Sequence, residues 1–327
     1  MRNSRGEDVS GKQLELFPFG TTEDLGPEKP PLRAEAPLSE ALPLFEKYMR
    51  QREFSAHTVR AFLHDIKLFL EFIGPETPLR ACSTKTLQSF LYYLRYERGA
   101  PCSPKSLDRR LTTLKTFFGW LFREGVLPVD PAASLARGPV SSPLPRILSE
   151  EQIAAVLSLT REMRDAPEAP DARPHLLISL LLETGIKKTE CMRIALSHID
   201  LSDPERPTVY IHYDKPRQRF KSRRLPLPRD WPETLRKYLR RYQPKEQLFE
   251  CTPRNLEYVL HQISTLAGLP LRMTFEMLRW TSAVRDYKAG MEPEQLRQKL
   301  GLSRISWRVT LPVIQKLAES PLEKLVR

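Results

Sequence analysis

The chain has 327 residues, 40% of them hydrophobic, enough for two domains of ordinary size. A polar N-terminus and the lack of an apolar run of spanning length argue against a signal peptide or a membrane segment. Four scattered cysteines (82, 102, 191, 251) and six histidines without an HExxH or Cys/His cluster predict no disulfide framework, metal or cofactor, and a reduced cytoplasmic setting. The formal charge of +12 points instead to a nucleic-acid partner.

Residues 1–37 are polar and Pro-rich, without sustained periodicity, and read as a disordered tail. They hold five Lys/Arg against seven Asp/Glu, so the remaining chain carries +14. One apolar island interrupts them, Gln13-Leu14-Glu15-Leu16-Phe17. It resembles the Q-L-x-L-F peptide by which bacterial proteins dock on the replicative sliding clamp. There, two leucines and a phenylalanine fill a preformed pocket and the glutamine amide bonds at its rim. A chance match, or an island packed on its own protein, is an equal alternative.

Helical periodicity begins at Leu38 and runs to Arg50. Ser55 is placed to cap a helix with Val59, Phe62, Leu63, Ile66, Phe69, Leu70 and Ile73 on one face, stopped by Gly74-Pro75. A shorter helix is predicted near Thr84–Arg98. Another follows Ser103-Pro104, with Leu107, Leu111, Leu114, Phe117, Phe118 and Leu121 inward. The stripes are core, and 38–137 reads as a four-helix domain. The phrases "SAHTVRAFLHDIKLFLEFI" and "SPKSLDRRLTTLKTFFGWLFREGVLPVDPAASL" resemble the N-terminal core-binding (SAM-like) domain of the tyrosine recombinase, or phage integrase, family. The resemblance implies that this domain clamps one side of a duplex, with Arg60, Lys67, Lys105, Arg109, Arg110 and Lys115 as candidate phosphate contacts.

The segment 138–148 holds three prolines and a glycine without periodicity and reads as a linker. Ser149-x-x-Gln152 then looks like a capping box opening a second domain over 149–327. An apolar helix is predicted over Arg173–Glu183, strands over Thr208–Tyr213 and Arg223–Leu227, and helices over Trp231–Tyr242 and Pro253–Ala267. Beyond them, Arg272–Leu311 reads as a helix, a Gly290 break, a second helix and a tight Leu300-Gly301 end. Between the strands, Lys215, Arg217, Arg219, Lys221 and Arg223 recur at every second residue, which on an extended chain would face them one way. Residues 205–245 hold thirteen basic against four acidic residues, and such density favours phosphate contact over a merely solvated face.

Thr184-Gly185-Ile186-Lys187-Lys188-Thr189-Glu190 is similar to the same family's T-G-L-R-x-x-E. The box Glu276-Met277-Leu278-Arg279-Trp280 is similar to its H-x-L-R-H/W, and Leu300-Gly301-Leu302 to its L-G-H. The resemblance implies a mainly α fold: a helical N-terminal domain and a catalytic-fold domain with a small antiparallel sheet, closing as a C-shaped clamp on double-stranded DNA. It also implies a general-acid lysine from the hairpin, at Lys215 or Lys221. Arg279 keeps a phosphate-gripping arginine. Lys187, however, stands where the family has another, and a lysine lacks the planar two-point grip. Glu276 stands for a histidine, Leu302 for a hydrogen-bond donor, and Leu311 for the nucleophilic tyrosine; the last tyrosine in the chain is Tyr287. Loss of the nucleophile removes the covalent intermediate, and loss of the clamp removes most transition-state stabilisation. The expectation is a DNA-binding, catalytically inactive relative, accessory or regulatory in recombination, integration or replication, and associated with the bacterial nucleoid. The alternative is an active recombinase that borrows a nucleophile from a second recombinase subunit or uses an atypical one.

Overall fold

The computed structural model describes residues 32–100, 102–137 and 143–319, and the island Gln13–Phe17 lies outside them. The chain divides into two compact units, Met1–Ser142 and Pro143–Arg327, the division falling inside the proline-rich segment 138–148.

The first unit is built on α1 (Leu38–Gln51), α2 (Ala56–Ile73), α3 (Thr84–Tyr92) and α4 (Pro104–Arg123). Three of these start on serines whose hydroxyls accept first-turn N–H groups: Ser55 from Thr58, Ser83 from Thr86 and Ser103 from Ser106. Each bond satisfies a donor the helix itself leaves orphaned. Gly74, at φ 92°, ends α2. Inside, the rings of Phe45 and Phe117, Phe69 and Phe90, and Phe117 and Phe118 meet edge to face at 5.0, 5.0 and 5.1 Å. Two expectations shift. The helix expected to Arg98 becomes a π-helical turn over Tyr93–Glu97, which keeps Leu94 buried and leaves Tyr92 and Tyr96 outside. The ordered chain also starts before Leu38, since Leu79 and Arg80 donate to the Ala36 and Ala34 carbonyls at 3.0 and 2.9 Å.

Two arginines expected on the DNA side are turned into this unit instead. Arg110 is 9% exposed, its guanidinium directed at Cys102 Sγ and, at 3.5 Å, at Asp65. Arg109 donates to Asp65 and to the Ala61 carbonyl. The cause is Asp65, buried on α2, where the Thr113 hydroxyl also reaches it at 2.9 Å. A carboxylate inside an apolar bundle needs cations and donors around it. Arg60, Lys67 and Lys105 remain exposed.

The second unit is wrapped around a helix that is buried on every side. Its first helix, α5 (Glu150–Asp165), starts on the reciprocal Ser149–Gln152 box. The central helix is α6 (Arg173–Thr184), buried at every residue from Pro174 to Leu182. The four-residue α7 (Lys188–Cys191) follows, then α8 (Trp231–Tyr242), α9 (Pro253–Leu266) and α10 (Phe275–Lys288). Helices α5, α8, α9 and α10 all pack on α6, and the Trp231 indole donates to the Leu176 carbonyl at 3.2 Å. One antiparallel sheet, in the order β1 (Ile199–Asp200), β2 (Thr208–Ile211), β3 (Arg223–Pro226), turns Val209, Ile211 and Leu225 inward. Val209 lies opposite Leu225 in that register. Finally α11 (Pro293–Lys299) and α12 (Arg304–Glu319) close on α10 through Ala283, Val284, Leu296, Leu300, Ile314 and Leu317. The chain is thus mainly α with one small antiparallel sheet. Among the described residues no helix is long and apolar enough to cross a membrane.

Candidate active site and nucleic-acid interface

The site is organised by the end of α6. Gly185 takes the left-handed conformation that stops the helix, φ 58°. A Cβ there would lie 3.1 Å from both Leu300 Cδ2 and Ser282 Oγ, so the turn also needs glycine for space. Two residues on, Lys187 opens α7, and the Glu190 carboxylate returns to accept the Lys187 N–H at 2.8 Å.

Glu190 is the hub. It accepts two hydrogen bonds from Arg223, at 3.0 and 3.1 Å, and one from the Tyr213 hydroxyl at 2.6 Å. Burial opposes its charge, but Arg223, the Lys187 N–H and Tyr213 together outweigh it and hold the carboxyl down to about 2. Tyr213 is pushed up by burial and by donating to that carboxylate. Arg223 also donates through Nε to the Lys299 carbonyl at 2.6 Å, which ties β3 to the end of α11.

Arg279, on α10, fixes the same turn from the other side. Its guanidinium donates to the carbonyls of Gly185 and, at 2.7 Å, Leu300. Burial lowers it to about 10. Lys187 is lowered too, chiefly by burial, with the charges of Arg279, Lys221 and Arg223 adding to it and the nearby Glu190 carboxylate opposing. Both cations line a cavity of about 740 Å³, shared with Glu276, Trp280, Leu302 and Thr310.

The structure therefore brings Lys187, Glu276, Arg279 and Leu302 to one cavity. Leu311 is half-buried on α12, one residue beyond Thr310, whose hydroxyl donates to the Ser306 carbonyl at 2.8 Å. Tyr287 packs with the α11–α12 cluster, its hydroxyl 3.4 Å from the Gln315 amide. Among the described residues no group of three or more His, Cys, Asp or Glu is placed to hold a metal ion.

The basic ridge takes another form than an extended chain would give it. The β2–β3 connection is not extended: Pro216–Lys221 is a 3-10 helix, closed by Gln218 N–H on the Lys215 carbonyl and Ser222 N–H on that of Arg219. With about three residues per turn, side chains three apart align and alternate ones diverge. Lys215, Arg217 and Arg219 are exposed, whereas Arg223 faces inward onto Glu190. Of the two hairpin lysines, Lys221 is the one turned to the site, its ammonium 5.8 Å over the Tyr213 ring. The bond of Tyr213 to Glu190 has no spacing signal in the sequence, and the two residues meet only through the fold.

Two consecutive stretches match family profiles: residues 42–125 that of the phage integrase N-terminal SAM-like domain, and 146–308 that of the phage integrase family. The chain belongs to the tyrosine recombinase family. Members of that family break and rejoin DNA. Tyrosine recombinase XerC of Anoxybacillus flavithermus is 27% identical over 283 residues, 81% of this chain and 90% of that protein. The XerC of Oceanobacillus iheyensis is 24% identical over 280 residues, covering 80% and 87%. Among solved structures, XerH site-specific recombinase bound to palindromic difH substrate aligns with a TM-score of 0.66 at 18% identity, over 88% of this chain and 83% of that one. A lambda integrase dimer bound to a COC' core site gives 0.65 at 17%, over 88% and 79%. At these identities the structural likeness carries the fold.

Proposed function

We propose that this protein binds double-stranded DNA and does not itself cut it, acting as an accessory or regulatory factor in recombination, integration or replication on the bacterial nucleoid. The observation that carries the reading is Leu311. The family's nucleophile position holds an aliphatic side chain, and the last tyrosine, Tyr287, is packed in the α11–α12 cluster. Around it, Lys187 replaces a two-point phosphate grip, Glu276 adds a negative charge to the cavity, and Leu302 offers no donor. The buried Glu190–Arg223–Arg279 frame supports a fold kept without its chemistry. Structural relatives bound to DNA and the exposed cations of the β2–β3 connection support the DNA partner.

The deciding experiment is covalent trapping on suicide substrates built from sites selected by the protein itself. No adduct is expected, alone or with a second recombinase. An adduct would overturn the reading, and its mapping would name the nucleophile. One observation favours that second reading: Thr310, whose hydroxyl donates to the Ser306 carbonyl, is among the residues lining the cavity with Lys187 and Arg279. The Gln13–Phe17 island adds a partner to the proposal, the bacterial sliding clamp. A peptide spanning Gly11–Gly20 should bind the clamp at roughly micromolar Kd, because ordering the segment offsets much of the contact energy. Replacing Leu16 and Phe17 by Ala should abolish this, and absence of binding by the wild-type peptide would remove the clamp from the proposal.

A further inference from the structure

The β2–β3 connection carries an aromatic ring for which none of this has a use. We propose that Phe220 is an apolar wedge that enters between neighbouring base pairs of duplex DNA, so that the protein prefers duplex that unstacks easily; the proposal rests on the DNA-binding reading.

Phe220 is 60% exposed. A single exposed apolar residue is ordinary on a protein surface and by itself says nothing. What distinguishes this one is its setting. Lys215, Arg217, Arg219 and Lys221 lie within seven residues, and the first three are exposed with no side-chain hydrogen bond or ion pair among the described residues. Elsewhere in the same basic segment, Arg224, Arg229 and Lys237 hold the carboxylates of Asp200, Glu205 and Asp165 at 2.6, 3.5 and 2.5 Å. Three exposed cations without a carboxylate partner thus share one turn with an exposed ring. Like charges so close repel one another, and a polyanion relieves that repulsion while releasing its own counterions.

The ring is also presented rigidly. The 3-10 helix begins on Pro216 and is closed by two backbone hydrogen bonds, so Phe220 sits on a turn rather than a slack loop. Lys221 holds its ammonium 5.5 Å from the ring centroid, which keeps charge against it. A phosphate backbone drawn onto Lys215, Arg217 and Arg219 therefore brings base edges to an apolar side chain. Platforms for single strands use successive aromatics, one per base. Residues 215–221 offer one ring flanked by cations, the pattern of a side chain that pries a base step apart. Such a wedge favours sequences or lesions whose steps unstack at low cost.

The test uses the full-length protein with three labelled DNAs: a fully paired duplex, the same duplex with one central mismatch, and the single strand. Wild type should bind the mismatched duplex more tightly than the paired one. Phe220→Ala should lose roughly tenfold on the mismatched duplex, with the slope of log affinity against log salt unchanged. Phe220→Leu should keep most of the affinity, and 2-aminopurine beside the mismatch should brighten with wild type but not with Phe220→Ala. An unchanged melting temperature checks that the variants fold. If wild type binds with steep salt dependence and Phe220→Ala matches it on both duplexes, the wedge is overturned and DNA binding stands. If Phe220→Ala loses affinity only for the single strand, the ring is a stacking platform and the wedge is likewise overturned. A wild type that binds no DNA overturns both.

Discussion

Glu190 and Arg223 hold each other through two hydrogen bonds of 3.0 and 3.1 Å, with side-chain exposures of only 3% and 10%. The pair does more than neutralise itself. Through Nε, Arg223 fixes the Lys299 carbonyl, and the next carbonyl along, Leu300, is held by Arg279. Glu190 in turn fixes the Lys187 N–H, so both edges of the cavity are positioned by one buried charge cluster. Its members hold one another independently of any step on DNA.

Replacing that carboxylate should show in stability and in its pH dependence. Glu190 is held at about 2 against an ordinary 4.5, so its stabilisation is complete above about 4.5 and is lost as pH falls toward 2. The gap corresponds to roughly 3 kcal/mol, taken as an order of magnitude. Glu190→Gln should lower the unfolding free energy of the second unit by about that much at pH 7. The difference from wild type should shrink in denaturant titrations at pH 3. An equal difference at both pH values would mean that the carboxylate's charge is not what stabilises the cluster.

Gly301 is bound to the same pair. Its φ is 59°, and a Cβ there would lie 2.7 Å from an Arg223 Nη atom that Glu190 and the Lys221 carbonyl already hold. Gly301→Ala should therefore cost about 1–3 kcal/mol. Gly290→Ala, where a Cβ meets nothing within 4 Å, carries only the strain of its φ of 85° and should cost less. Thermal melts of the two variants make the comparison.

The helices were legible because their signals are local. Ser55, Ser83, Ser103 and Ser149 all cap as their spacing allows, and the stripes facing Phe69 and Phe117 follow the helical period. Lys187, Glu276, Arg279 and Leu302 were legible as one site because family spacing carries three-dimensional information that periodicity lacks. What failed was the direction of charge. Arg110 and Arg223 look in sequence like Arg217 and Arg219, and only the distant carboxylates Asp65 and Glu190 turn the first two inward. The alternation from Lys215 to Arg223 misled for a related reason: Pro216 opens a 3-10 helix, and its period is not two.

That division of arginines separates two kinds of damage. Lys215, Arg217 and Arg219 are exposed and unpaired, so replacing all three with Ala should leave the melting temperature in place and weaken DNA binding. The slope of log affinity against log salt should shallow by about 0.9 for each phosphate no longer neutralised, up to about 2.7. Arg110→Ala should do the opposite. It leaves Asp65 short of a partner in the core, costing about 3 kcal/mol, with the salt slope unchanged. Salt titrations and melts on the same two proteins would reveal any exchange of roles.

Glu276 bears on whether a phosphate can enter the cavity. It lines the cavity with Lys187, Arg272 and Arg279, while the other lining carboxylate, Glu257, is engaged by Lys188 at 2.8 Å. Glu276 is exposed, and no hydrogen bond or ion pair involves its side chain among the described residues. A DNA phosphate approaching Lys187 and Arg279 therefore meets an unneutralised negative charge at close range. Glu276→Gln removes that repulsion with little change of shape and should raise duplex affinity about two- to fivefold at low salt. Because the group faces solvent, the gain should fade as the screening length drops with added salt. Lys187→Met, which removes a cation that burial already disfavours, should weaken DNA binding while leaving the melting temperature unchanged or higher. Unchanged affinity in both variants, measured by fluorescence anisotropy at low salt, would show that DNA phosphate does not enter this cavity.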